Sequence, residues 1–115
     1  MRIKMGVATH KKHKKLLDSN KGFRGSKSKL YKVAHEARLH AGQYAFVGRK
    51  DRKNDFRRLW IVRIGEALDP MGISYSKFIN GLKKANINLN RKVLADLIIN
   101  NPDSFKQIVD KVKQC

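Results

Sequence analysis

From Ser26 to Asp69 the chain offers no signal strong enough to stop a helix, and that stretch restricts what it can fold into more than any other. Ser26 is a candidate cap, and Leu30, Ala34, Ala37, Ala41, Tyr44 and Ala45 follow it at spacings of three and four. Gly42 and Gly48 are weak points only. The first clear stop is Asp69-Pro70-Met71-Gly72. The spacing predicts one continuous or gently bent helix over about 26–69. Its apolar stripe is thin and rich in alanine, too weak to hold a globular core. A helix this long with so few partners is unstable alone and should order against something outside the chain.

The centre of that helix reads GRKDRKNDFRRLW, with Arg49, Lys50, Arg52, Lys53, Arg57 and Arg58 placed between the apolar segments QYAFV and IVRI. At about 100° per residue these six cations cover most of the helix circumference. Arg49 and Lys53 project on nearly the same face as Phe56 and Trp60. The segment therefore reads as a junction, above which the face meets an outside partner and below which it meets the protein's own core. Asp51 and Asp55 are expected to orient neighbouring Arg or Lys side chains.

The core has to come from the last third of the chain, where three short helices are predicted. Ser74 precedes Tyr75, Phe78, Ile79 and Leu82 at i, i+3, i+4, i+7. Asn90 precedes Val93, Leu94, Leu97 and Ile98. Asn101-Pro102, a cap followed by proline in the first turn, precedes Phe105, Ile108, Val109 and Val112. Three helices of this size bury little, so a fourth stripe of Phe56, Trp60, Ile64 and Ala67/Leu68 is expected to complete the core. No segment alternates with period two. The expected fold is all-α, with a basic helical extension over 1–55 and a small helical domain over 56–115 that shares the end of the long helix. Up to about residue 25 the extension is expected to be flexible or a short helix.

Charge follows the same division. Residues 1–63 hold 19 Lys+Arg and 4 Asp+Glu, and residues 64–115 hold 8 and 5, within a net charge of +18. Solubility asks for roughly 2–8 net charges in a small domain, so a polyanionic partner is the simplest explanation. The densest cluster, His10–Lys15, reads HKKHKK. Lys11, Lys12, Lys14 and Lys15, with Lys21, Arg24, Lys27 and Lys29 beyond them, suit phosphate contacts that act together through counterion release.

Catalysis and metal binding find no support. His10 and His13 stand among lysines that repel a cation, and no Cys or acidic cluster lies at ligand spacing. The lone cysteine, Cys115, excludes an internal disulfide framework and has no base near it in sequence. No Gly-rich phosphate loop occurs, so no nucleotide cofactor is expected. Gly22-Phe23-Arg24-Gly25 has the GxxG form of a KH-domain clamp but lacks the strands of that fold, and reads as a turn whose Phe23 and Arg24 can stack on bases. Trp60 reads as core, from its spacing with Phe56 and Ile64. No apolar run approaches the roughly 18 residues of a membrane span. The first seventeen residues lack acids, as an organellar presequence does, but are Lys-rich with no apolar run, so a cytoplasmic protein is expected.

The segments GQYAFVGRKDRKNDFRRLWIVRI and ISYSKFINGLKKANINLNRKVLADL together closely resemble the bacterial large-subunit ribosomal protein number twenty family, and KGFRGSKSKLYKVA is similar to that family's arm. The resemblance covers nearly the whole chain and is weakest in the last fifteen or so residues. It implies an extension threaded into 23S ribosomal RNA, a helical domain seated on that RNA, and neighbouring large-subunit proteins. It further implies a role in early subunit assembly and, in some members, repression of their own messenger. Carried over by position, the implied RNA contacts are the eight arm residues and six junction residues named above, with Lys77, Lys83, Lys84, Arg91 and Lys92 in the domain. Met5 departs from a more basic family pattern, and Asp18 stands where no acid is expected.

A-form RNA hides its base edges in a deep, narrow groove, so a basic helix there reads shape and phosphate positions. Selectivity is therefore expected in the domain and salt sensitivity in the arm. Two alternatives remain open at this level. A general nucleic-acid compaction protein would be displaced from ribosomal RNA by duplex DNA, and a cationic membrane-surface protein would bind vesicles.

Overall fold

The computed structural model describes residues 6–115. Met5 lies outside them. The described residues form helices and turns with no strand: α1 (Val7–Ser19), a 3-10 turn (Gly25–Ser28), α2 (Tyr31–Leu68), a second 3-10 turn (Asp69–Met71), α3 (Tyr75–Lys84), α4 (Arg91–Asn100) and α5 (Pro102–Gln114). The fold is all-α, and α2 is a single helix of 38 residues. Two compact units divide the chain, residues 1–50 and 51–115.

The first unit is organised by one amide. Asn20 is fully buried, and of the apolar residues here only Ala34 is as deeply covered. The Asn20 backbone N–H caps α1 by donating to Leu16 O and Leu17 O at 3.2 and 3.1 Å. Its side-chain Nδ2 donates to Ala34 O at 2.7 Å and Lys27 O at 3.2 Å, tying the end of α1 to the turn and to α2. Between them the chain turns through Gly22 and Gly25, whose φ values of 92° and 63° lie where side-chain-bearing residues are strained. His13 adds a second tie, its ring stacked on Tyr31 with centroids 3.8 Å apart.

Ser26 does not cap a long helix. The N–H groups of Lys29 and Leu30 both donate to Ser26 O, at 3.0 and 2.9 Å, which closes a tight turn. α2 begins only at Tyr31. The helix starts five residues later than expected because the chain at Ser26 closes into a 3-10 turn that ends at Lys29 before α2 begins.

Removal of the Asn20 amide should therefore loosen this unit alone. Asn20→Ala deletes two bonds to buried or half-buried carbonyls, a cost of about 2–3 kcal/mol. Amide exchange from Phe23 to Leu30 should accelerate about thirtyfold or more while the exchange of α3–α5 stays fixed. Unchanged protection in that loop would show that Asn20 does not hold it.

The second unit follows its caps closely. The Asn90 side chain accepts from Val93 N–H at 2.9 Å, and the Asn101 side chain accepts from Ser104 N–H at 3.3 Å, whereas Ser74 precedes α3 without a side-chain bond. α3 stops where Asn86 adopts a left-handed φ of 56° and Ile87 N–H reaches Leu82 O at 2.9 Å. The core contains Ile64, Leu68, Phe78, Leu82, Leu94, Phe105, Val109 and Val112. The Phe78 and Phe105 rings meet at a tilt, 5.8 Å between centroids. α3 and α5 approach so closely at Gly81 that a Cβ there would overlap the Val112 side chain.

Three residues of the expected apolar stripes lie outside the core: Phe56 and Trp60 on α2, and Val93, 40% exposed at the first turn of α4. Phe56 is 41% exposed, and Trp60 is half-buried outside the core cluster. Residues at the start of α4 border Trp60 and Ile61, but among the α2 residues of this unit only Ile64 and Leu68 are fully buried. The buried core on α2 thus begins at Ile64 and includes Leu68, with Trp60 half-buried at its edge and Phe56 exposed beyond it.

Candidate nucleic-acid interface

Every candidate cation is exposed. On α1 these are Lys11, Lys12, Lys14 and Lys15; in the turn that follows, Lys21, Arg24, Lys27 and Lys29. The α2 set, Arg49, Lys50, Arg52, Lys53, Arg57 and Arg58, is exposed without exception, as are Lys77, Lys83, Lys84, Arg91 and Lys92 in the second unit. Among the described residues only two ion pairs form. One joins Asp103 to Lys106, and the other joins Asp55 to Arg58 at 3.9 Å with both side chains in solvent. Asp55 thus makes one loose pair with a neighbour and Asp51 makes none. Surface pairs of this kind contribute about 0–1 kcal/mol, so the cations stand almost unneutralised.

The aromatics of α2 continue the same surface. The Arg52 guanidinium lies 5.5 Å from the Phe56 ring centroid, and the Phe56 ring lies 6.1 Å from that of Trp60. Cation, phenyl and indole therefore succeed one another along about two turns of one face, in the order that spacing i, i+4, i+8 dictates. One turn earlier Lys50 sits 5.2 Å from the Phe46 ring. Both pairs are cation–π contacts that hold long basic side chains against the helix without consuming their charge.

In the second unit the structure groups some candidates and separates others. Arg57, Trp60, Ile61, Asn90, Arg91 and Lys92 line a cleft of about 460 Å³. Arg91 is fixed there by donating from Nε to the Tyr75 hydroxyl at 3.0 Å. A neighbouring cleft of about 540 Å³ shares Trp60, Asn90 and Lys92 and adds Arg63. Lys77 and Lys84 instead line a groove of about 350 Å³ beside Gly81 and Lys113, and Lys83 lines none of the three. Lys113 has a structural task, donating to Met71 O at 2.7 Å.

Arg63 and Trp60 are the cleft residues that sequence pattern does not reveal. Arg63 stands inside the apolar IVRI, and its position one turn beyond Trp60 marks it as a cleft neighbour. In the first unit, Phe23, Lys27, Glu36, His40 and Tyr44 border an open groove of about 480 Å³. No described helix is long and apolar enough to cross a membrane. No group of three or more His, Cys, Asp or Glu comes together among the described residues.

Relatives of known family place these surfaces in context. The sequence profile of the family described as "Ribosomal protein L20" matches residues 2–108. A protein of Desulfovibrio desulfuricans named "Large ribosomal subunit protein bL20" is 55% identical over 113 residues, covering 98% of this chain and 96% of its own. Proteins of the same name from Roseiflexus and Mycoplasma capricolum are 51% and 52% identical over 113 residues, with 97% and 95% of their lengths covered. An exposed, unneutralised basic helix, a short-helix domain and a match along nearly the whole chain lead to one assignment: the chain belongs to the ribosomal protein L20 family, a family of ribosomal structural proteins and not of enzymes.

Proposed function

We propose that the chain is a structural constituent of the large ribosomal subunit that binds 23S ribosomal RNA directly and promotes early subunit assembly, alongside neighbouring large-subunit proteins. The observation that carries the reading is the exposure of all nineteen candidate cations, Arg58 alone among them within reach of an acid. A helix charged around most of its circumference suits a partner present on several sides, and A-form RNA folded about it supplies phosphates on each. By neutralising several phosphates at once, the helix lets RNA segments that repel one another approach. That is an assembly function rather than a catalytic one.

The division of labour rests on the two kinds of surface. The 1–55 extension carries twelve of the nineteen candidate cations, so it contributes most of the affinity and salt sensitivity. The 56–115 domain offers a walled cleft, with the half-buried Trp60 between Arg57, Arg91 and Lys92, and so contributes selectivity. Repression of its own messenger would use the same cleft on RNA that resembles the ribosomal site.

Competition separates this reading from general nucleic-acid compaction. At matched salt, the full chain bound to a 23S fragment should keep its place against a large excess of duplex DNA. Displacement by DNA in proportion to phosphate concentration would favour the compaction reading.

A further inference from the structure

The groove beside α2 in the first unit has features that a phosphate-binding surface does not need. Its lining includes Ala37 and Ala41, about one turn apart on α2, and three aromatic rings, Phe23, His40 and Tyr44. Tyr44 is 75% exposed, and its ring lies 6.5 Å from that of His40 at an angle of 30°. The volume of about 480 Å³ lies within the range of small-ligand sites. Small residues beside aromatic rings in an open groove suit flat, π-bearing groups.

One acid stands in this groove. Residues 1–50 carry 14 Lys+Arg and only Asp18 and Glu36 as acids. A carboxylate repels a phosphate backbone, so Glu36 weakens any partner that offers phosphates alone. It forms no ion pair within the protein among the described residues. Its two oxygens are acceptors only, and they match a ligand edge with two parallel N–H donors. Of the four RNA bases, guanine alone presents two such donors side by side, at N1 and N2. Lys27, which also borders the groove, offers a cation to the nucleotide's phosphate.

We propose that this groove captures a single unpaired guanine extruded from RNA, stacked against Tyr44 and Phe23 with its Watson–Crick edge on Glu36. The inference rests on the RNA-binding reading above and names a subsite within it. Sequence-specific RNA recognition selects unstacked bases in this way, by aromatic stacking and edge hydrogen bonds. The charge of the unit excludes an acid-poor apolar peptide as a better occupant: fourteen cations against two acids select a polyanion.

The test uses the full chain and five RNA hairpins that share one stem, four carrying a single bulged G, A, C or U and one carrying none. The G-bulge hairpin should bind roughly tenfold tighter than the other bulged hairpins at matched salt. Glu36→Gln should abolish that preference while leaving the bulge-free stem bound at least as well. Tyr44→Ala should weaken the bulged hairpins and not the bulge-free stem. Both side chains are exposed, so neither variant threatens the fold. Equal binding of all bulges, or a G preference that survives Glu36→Gln, overturns the guanine site and leaves RNA binding intact. Failure of every hairpin to bind, stem included, overturns both readings.

Discussion

Replacing Phe78 by alanine is expected to remove most of the stability of the second unit, lowering its melting temperature by roughly 15 °C or more. Phe78 is fully buried and its ring contacts that of Phe105. Truncating a buried phenylalanine costs about 3–5 kcal/mol. A unit spanning residues 51–115 has only about 3–10 kcal/mol in total, at the usual stability per residue. The core cannot relax to fill the space, because α3 already touches α5 at Gly81 and has no room to slide inward. Phe56→Ala is the matched control. It deletes the same ring from an exposed position and should cost less than about 1 kcal/mol. A calorimetric melt of the two variants decides the matter. Equal destabilisation would place the core boundary at Phe56 and contradict the packing described above.

The second large effect concerns binding. Replacing Arg49, Lys50, Arg52, Lys53, Arg57 and Arg58 together by glutamine should reduce the slope of log affinity against log salt by about four to five, at 0.7–0.9 per lost phosphate contact. Glutamine has a helix propensity close to that of Arg and Lys, and all six side chains are exposed, so α2 should persist. Circular dichroism checks the helix, and titration of a 23S fragment from 50 to 200 mM salt gives the slope. A slope that moves by less than about one would mean that these cations do not face phosphate.

Much of this architecture was legible because local chemistry decides it. Asn90 and Asn101 start their helices by side-chain bonds that any reader of spacing would anticipate, and Phe105, Val109 and Val112 fall inward at the interval their helix imposes. The start of α2 was not legible, because Ser26 can serve either as a cap or as the acceptor of a tight turn, and a neighbour's φ decides between them. Nor was the limit of the core. Whether Trp60 is covered depends on how far α4 reaches along α2, a tertiary length that periodicity does not contain. The candidate cations were visible one by one. Their grouping, with Arg57 beside Arg91 and Lys92 but Lys77 beside Lys84, required the helices to be placed.

The corner at Asn101 has a consequence for how this chain can change length. One residue ends α4, its N–H donating to Leu97 O at 2.9 Å, and the same residue's side chain begins α5. No slack separates the two helices. An inserted or deleted residue there would rotate α5 by about 100°, turning Phe105 and Val109 away from the core. The loop of residues 85–90 joins α3 to α4 across five exposed or half-buried positions before its cap, and it can absorb such a change. Length variation among related chains should therefore collect in that loop and be absent at the corner, where a single asparagine sets the phase of the last helix.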